Sequence, residues 1–299
     1  MVTMRVALAV LAFGGLFACS SSAESPPPAT DTNAPSLVVM SFNIFRNGER
    51  GIDAVVQAIR GANADIVGLQ ECNASAAATI ASSLGFREVH DPNGHAIVSR
   101  FPISVIGSTR DVWGGLGATV DVGRPTLERV HVFDVHLFWD EYGPYYLSEG
   151  KTSSFILERE SARRMPGLEE LFALMQPALA TNEPALLLGD FNAPSHLDYA
   201  DFAWPESLAC EARGFADSYR ELHPNNRTYP GAFAFDEPGI TWTPLVSEEP
   251  HGAFDRIDFV HYLTGRRLKP ESSMELDGRN SVSPWPSDHR AVLTTFAIE

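Results

Sequence analysis

Lysine is almost missing from this chain: Lys151 and Lys269 are the two it has. That bias is as readily genomic composition as function and carries no functional weight. The shortage of positive charge as a whole says more. The 299 residues carry 22 Lys+Arg against 38 Asp+Glu, a formal charge of −16, and no basic run exceeds the pairs Arg163-Arg164 and Arg266-Arg267. Holding nucleic acid by blanket charge neutralisation needs a basic face, so that mode, and with it a stable nucleic-acid partner, is excluded. Acidity does not exclude hydrolysing a phosphate ester through a bound cation. Also lacking are an internal repeat, a second linker and any apolar run long enough for a membrane-spanning helix. What remains is the balance of a folded globular protein, 44% hydrophobic and 20% charged, long enough to bury a sizeable core.

The first residues stand apart from that fold. After Arg5 comes an apolar run, Val6 to Ala18, followed by Cys19-Ser20-Ser21-Ser22. The run has the length of a signal-peptide core, and residues 1–18 are expected to be an export signal. Residues 19–36, rich in Ser, Pro, Ala and Thr, have nothing to build a core with and read as a tether. Leu16-Phe17-Ala18-Cys19 resembles the bacterial lipobox, which would make a lipidated Cys19 the mature N-terminus and anchor the chain to a membrane of the cell envelope. Cleavage after Ala23 would instead release a soluble periplasmic or secreted protein. Cys72 and Cys210 are the remaining thiols. In an exported protein they permit a disulfide, with two buried free thiols as the alternative.

From Leu37 onward short apolar runs alternate with amphipathic or turn-rich pieces. Strands are expected at 37–43, 65–71, 95–100, 117–122, 129–138, 185–191, 256–262 and 291–298. Helices are expected over Ile52–Ala62, Ala74–Leu84 and Glu158–Leu179, the last broken or started at Pro166. This spacing points to one α/β sandwich domain over 37–299 and is too uneven for a (β/α)8 barrel. Polar residues of unusual type close the strands: Asn43, Glu71, His136, Asp190 and Asn192. Strand ends are where a rigid scaffold offers side chains to a cleft.

Hydrolysis of a phosphate ester needs a hard cation held by oxygen ligands, an activated water and groups that meet developing charge. The chain supplies such groups in six apolar-flanked contexts: Ser41-Phe42-Asn43, Leu69-Gln70-Glu71, His136-Leu137, Gly189-Asp190-Phe191-Asn192, Arg256-Ile257-Asp258-Phe259 and Ser287-Asp288-His289. Each alone is weak. Asp190 and Asn192 alternate around Phe191 and would share one side of an extended segment. Asp258 is an acid in an apolar strand, which normally has a partner; a histidine is the obvious one.

In this order the six motifs resemble the endonuclease/exonuclease/phosphatase superfamily, the DNase I-like proteins, over nearly all of 37–296. The resemblance implies a four-layer α/β/β/α sandwich with two central mixed sheets and a site at one end of them. It implies Glu71 as principal ligand of Mg2+ or Mn2+, one or two ions, helped by Asn43 and Asp288. Asp190 would orient or deprotonate the water, and Asn192 would hold that water or a phosphate oxygen. His289, held by Asp258, would contact the phosphate or act as base, and His136 would assist protonation of the leaving group or bind a phosphate oxygen. The histidine in HL, and Phe45 two residues after Asn43, set the chain apart from abasic-site repair enzymes.

The expected function is an exported, metal-dependent phosphoesterase acting as a monomer on a phosphate ester. A secreted nuclease or a sphingomyelinase-like phospholipase is the alternative, and a binding protein that kept the fold without the chemistry is the other class. The segment Trp139–Tyr146 is expected either at the cleft rim or packed on its own rings, and Trp242 in the core. Arg100 is a candidate phosphate contact. His90, His95, His131, His196, His223, His251 and His261 are expected to be structural or exposed. Cys19→Ala should release the protein from membranes, because the multiple chains of a lipoprotein anchor stably where one does not. An unmodified mature N-terminus at Glu24, read by mass spectrometry, would show the soluble route instead.

Overall fold

In a computed structural model, residues 36–199, 202–224, 239–242 and 254–299 are described. The expected leader, Cys19 and His251 lie outside them, as does the tether up to residue 35; Ser36 already begins the first strand. In chain order the first half is β1 (Ser36–Asn43), α1 (Ile52–Gly61), β2 (Ile66–Gln70), α2 (Ala74–Leu84), β3 (Arg87–His90), β4 (Ala96–Ser99), β5 (Ile103–Ser108), β6 (Gly115–Arg124) and β7 (Leu127–His136). The second half is α3 (Gly143–Ser148), α4 (Ser153–Arg163), α5 (Met165–Leu179), β8 (Ala185–Asp190), α6 (Pro205–Glu211), β9 (Phe215–Asp217), α7 (Ser218–Leu222), β10 (Asp258–Leu263), β11 (Leu268–Leu276) and β12 (Ala291–Ile298).

Two six-stranded sheets result, ordered β11-β12-β1-β2-β4-β3 and β5-β6-β7-β8-β10-β9. Each is mixed, with one parallel pair, β1 with β2 and β7 with β8. Strand alternation sorts the core into layers. Leu37 and Val39 of β1 meet Val130 and Val132 of β7, Leu186 and Leu188 of β8 and Val260 of β10 between the sheets. Met40 and Phe42 turn the other way, onto Val55 and Ile59 of α1 and Ala77 and Ile80 of α2. On the far side Phe133, Val135 and Leu187 pack against Leu168, Leu171 and Phe172 of α5. Each such buried side chain removes enough apolar surface from water to contribute roughly 1.5–3 kcal/mol. The product is the four-layer α/β/β/α sandwich expected from the resemblance.

The eight expected strands are all present, and the four strands that were not anticipated, β3, β5, β9 and β11, are the four sheet edges. An edge strand hides at most one side from solvent and carries polar residues, proline and bulges that blunt it. β11 reads LKPESSMEL with a register shift after Pro270, and β5 shifts between Val105 and Gly107. The expected 158–179 helix is two: α4 ends at Arg163, and α5 restarts with Pro166 in its first turn, where a missing N–H costs nothing.

Cys72 and Cys210 are buried free thiols in opposite outer layers, one against α2 and one beside α5. They form no disulfide. Burial pushes the Cys72 thiol up to about 12, so neither is a reactive thiolate at neutral pH. The melting temperature should therefore be the same with and without reductant, and both thiols should react with a maleimide only after denaturation; a reductant-sensitive melting temperature would contradict the layer assignment.

Candidate active site

The same alternation that fills the space between the sheets carries polar side chains out of it at one end. Along β1 the inward face runs Leu37, Val39, Ser41, Asn43; along β7 it runs Val130, Val132, Asp134, His136. In the ladders His136 and Asp258 are the Cα partners of Asp190 on either side, and Asn43 is paired with Gln70. Parallel pairing puts the C-terminal ends of β1 and β2 together, and likewise those of β7 and β8. The antiparallel β10 and β12 bring their N-terminal ends to the same place, with Asp258 opening β10 and His289 just before β12. Gly189 makes the approach fit, because a Cβ there would lie 2.0 Å from the Val135 carbonyl oxygen.

Contacts converge on one oxygen, Asp190 Oδ2. Asn43 Nδ2 donates to it at 3.0 Å and also to Glu71 Oε1 at 3.2 Å. His136 Nε2 and His289 Nε2 stand 3.5 and 3.7 Å away. The other ring nitrogen of His289, Nδ1, is 2.9 Å from Asp258 Oδ2. Thr241 Oγ1 accepts the backbone N–H groups of Ile257 and Asp258, each at 3.0 Å. Ser287 Oγ donates to the Asn43 carbonyl at 2.7 Å and accepts the His289 N–H at 3.0 Å, stitching the SDH turn to β1. Asp288 lines the same cavity, which has a volume of about 680 Å³.

Asn192 arrives differently from the sequence expectation. β8 ends at Asp190, the Asn192 backbone is left-handed at φ 48, and its N–H donates to Asp190 Oδ1 at 2.8 Å. The pair closes an Asx turn instead of alternating along a strand. Asn192 Nδ2 donates to the Leu137 carbonyl at 3.0 Å, which faces its side chain toward the HL motif.

Burial works to lower the His289 imidazole, but Asp258 and Asp190 outweigh it and hold the ring well above its ordinary value. Burial pushes Asp258 up to about 6 against the pull of His289. Near neutral pH the pair is therefore carboxylate and imidazolium. His136 moves the other way: burial keeps it below its ordinary value despite Asp190 and Glu71. Two histidines on one carboxylate thus hold different protonation states, one a proton donor and one an acceptor.

For a cation the donor set fits. Glu71, Asp190 and Asp288 are hard oxygen donors on one cavity, and neither thiol lines it. Glu71 and Asp190 share a single amide group, that of Asn43, between their negative oxygens, which is where a positive charge stabilises most. Asp190, Asp258 and His289 also place a ligating atom each within 4.8 Å of one another, but Asp258 Oδ2 is already committed to His289 Nδ1.

Beyond the expected residues the cavity has an aromatic wall. Trp139, Tyr142, Tyr145 and Trp242 line it, and Trp113 packs edge-on to His136 with centroids 5.6 Å apart. Trp242 is thus half-buried at the site and not a core residue as expected; its ring meets Tyr142 at 5.5 Å and its backbone bridges to His289. Both readings of 139–146 hold in part: the segment lines the rim, and Tyr142 and Tyr145 also pack on each other at 5.0 Å. Arg100 is elsewhere. It bonds Asp65 Oδ1 at 2.9 Å just before β2, at the end of that strand away from Glu71. The other described histidines hold structural or surface contacts, such as His95 Nδ1 to Asp91 Oδ2 at 2.8 Å. Nothing in the local sequence of Trp113, Thr241 or Trp242 marks them, because aromatic and hydroxyl residues serve cores and turns equally well.

A two-sheet α/β sandwich with acids, amides and histidines at one end defines a class of phosphoester-processing proteins. Residues 40–289 match the Endonuclease/Exonuclease/phosphatase family, and the chain belongs to it. An uncharacterized protein of Caenorhabditis elegans is 28% identical over 87% of this chain and 91% of its own length. An AP endonuclease from Archaeoglobus fulgidus shares the fold at a TM-score of 0.56 and 17% identity, covering 88% of this chain and 100% of that one. An endonuclease/exonuclease/phosphatase family protein from Leptotrichia buccalis aligns at 0.55 and 13% identity, over 87% and 99%. In metal-free protein the His289 ring should titrate above the ordinary histidine range and His136 below it, read by NMR. Asp258→Asn should bring His289 down; a His289 that titrates normally would mean that Asp258 does not hold it.

Proposed function

We propose that the chain is an exported phosphoesterase that depends on a divalent cation and hydrolyses a small phosphate ester by attack of water. The convergence of Asn43, His136 and His289 on Asp190 at the floor of the cavity carries this reading. Glu71, with Asn43 and Asp288, would hold Mg2+ or Mn2+, which when bound supplies charge neutralisation and polarisation of a phosphoryl oxygen. Asp190 orients the water and takes its proton. His289 is kept protonated by Asp258, and its free Nε2–H meets the negative phosphoryl oxygens. His136, beside Asp190, would take the proton that Asp190 removes from the water and pass it to the leaving oxygen. Asn192 holds a phosphate oxygen or the water with the N–H not used on Leu137. Export rests on the sequence: the apolar run, Cys19 and the tether.

The cavity lining favours a substrate with one phosphate and an apolar or planar remainder. Arg46 is the one Lys or Arg among the described lining residues, against five acids, Glu71, Asp140, Glu141, Asp190 and Asp288. A polymeric nucleic acid or a polyphosphate would bring anions that this lining does not neutralise. Trp139, Tyr145 and Trp242 offer ring faces to an apolar group instead. A binding protein without chemistry has no need of so complete a set of acids and histidines.

Hydrolysis of bis-p-nitrophenyl phosphate with Mg2+ tests the reading. Chelation should abolish turnover and added Mg2+ or Mn2+ restore it. Glu71→Gln should raise the metal concentration for half-maximal activity by about tenfold or more, as loss of a charged ligand does, with little change in melting temperature. Full activity after exhaustive chelation would overturn the metal assignment.

A further inference from the structure

Behind the aromatic rim lies a charge cluster that the chemistry above does not use. Glu160 of α4, Arg164 just after it and Glu206 of α6 are buried, the first two completely. Arg164 Nη1 donates to Glu160 Oε2 at 2.7 Å, and Nη2 donates to the Asp140 carbonyl at 3.2 Å. Gly143 lies directly on the Glu160 carboxyl with its N–H toward it. A Cβ on Gly143 would come within 2.5 Å of Glu160 Oε1 and 2.6 Å of the Trp204 ring, so no larger residue fits. On the exposed side Arg159 and Arg163 hold Glu141 at 3.4 and 2.8 Å. One face of α4 and its C-terminal cap therefore grips residues 140–143, part of the segment that lines the cavity.

The charges in this grip do not balance. Two acids face one guanidinium, and no donor among the described residues satisfies either Glu206 oxygen in good geometry. The group that Glu206 faces is another carboxyl, Glu160. Two bare carboxylates in a dry interior are prohibitively costly, whereas a proton held between them makes one the donor that the other lacks.

We propose that Glu160, Arg164 and Glu206 form a proton-holding latch that positions the substrate-facing rim, an inference that rests on the cavity being the substrate site. Glu160 and Glu206 are positioning residues, since neither lines the cavity. Burial pushes Glu206 up to about 8, with Glu160 adding to the shift, and pushes Glu160 up to about 7 against Arg164. The groups that face the pair are Arg164 from the α4 cap, the Gly143 N–H and Asp140 carbonyl of the rim, and the Trp204 indole and Cys210 thiol on the α6 side. None is a candidate metal ligand. Both carboxyls lie above their unfolded value of 4.5. The proton between the carboxyls is therefore fully in place at low pH and is lost as pH rises through about 7 to 8.

Steady-state kinetics of the Mg2+-loaded full chain on bis-p-nitrophenyl phosphate between pH 6 and 9.5 tests it, with Trp139 emission, taken against Trp139→Phe, as a readout of the rim. Wild-type KM should rise by about threefold or more across the alkaline limb, the response of lost positioning rather than lost chemistry. Glu206→Gln supplies a permanent N–H and should flatten that rise and the Trp139 shift, with kcat and KM at pH 7 within about twofold of wild type. Glu160→Ala should raise KM by about fivefold at pH 7 with kcat nearly unchanged, and Glu160→Gln should recover most of it. Glu206→Gln that keeps the wild-type pH dependence overturns the latch, as does a Glu160→Ala that only melts earlier. If no variant turns over, the phosphoesterase reading fails on its own, and a Trp139 emission without a midpoint near 7 to 8 in wild type then overturns the latch separately.

Discussion

Asp190 Oδ2 joins the two sheets where they would otherwise part. Asn43 reaches it from the end of β1, His136 from β7 beside it, and His289 from the turn that leads back into β12. Four chain segments, spread over positions 43 to 289, meet at this one oxygen, so each is useful only if the others are in place. The rigidity comes from below: both sheets are fixed by an apolar layer running from Leu37 and Val130 to Leu188 and Val260. Between that layer and the site lies a polar step, where Gln70 Nε2 donates to Asp134 Oδ1 at 2.6 Å and burial pushes Asp134 well above the usual carboxylate range. Interior pairing of this kind must be satisfied or it is costly. Here it lets the core turn from apolar to charged over two residues of strand.

That arrangement explains which parts were legible in the sequence. Strands β2 and β8 are buried throughout and β1 nearly so, which makes their apolar runs stand out, and with β7 they run into a polar residue at the site: Asn43, Glu71, His136 and Asp190. Asp258 stood out for the same reason, an acid in RIDF with apolar neighbours. The edge strands β3, β5, β9 and β11 lacked that signal because one margin faces solvent and their sequences are mixed. The aromatic wall was legible only in part: 139–146 is expected at the rim or packed on its own rings, whereas Trp113 and Trp242 are not expected at the site. Tyr142 and Tyr145 at the start of α3 and Trp242 come from segments far apart in sequence, and their mutual packing at 5.0 to 6.3 Å is a property of the fold alone. Asn192 lines the cavity but from a turn and not along the strand, since periodicity does not report where a strand stops and a turn begins.

Backbone strain marks the same place. Eight non-glycine residues among those described have positive φ, and five of them, Phe45, Arg46, Glu71, Glu141 and Asn192, line the cavity. Each such conformation costs about 1–3 kcal/mol and persists only where surrounding contacts over-determine it. The contacts are visible: Phe45 N–H donates to Asn43 Oδ1 at 3.1 Å, Arg46 N–H donates to Glu71 Oε2 at 2.6 Å, and Asn192 N–H donates to Asp190 Oδ1. Two candidate ligands, Asn43 and Glu71, and Asp190, the acid proposed to orient the water, are thus held by backbone amides of the strained residues themselves. Carboxylates fixed this way do not have to be reorganised when positive charge arrives, which is the condition for preorganised electrostatics.

The overall charge then becomes consistent with the chemistry. A chain of −16 repels polyanions at long range, and the cavity adds five acids to one arginine. A single phosphate enters such a site only if something local reverses the sign. On the proposed reading, the imidazolium of His289 and a cation held by Glu71 with Asn43 and Asp288 would be the two groups to do so. Both act within a few ångströms, where the low-dielectric walls of Trp113, Trp139 and Trp242 strengthen them and solvent screens them least. On the same reading, long-range repulsion and short-range attraction would together favour few phosphates and an apolar partner group. The same walls explain why the rim must be held in place: ring faces on a loose loop would neither exclude water nor present a surface to bind.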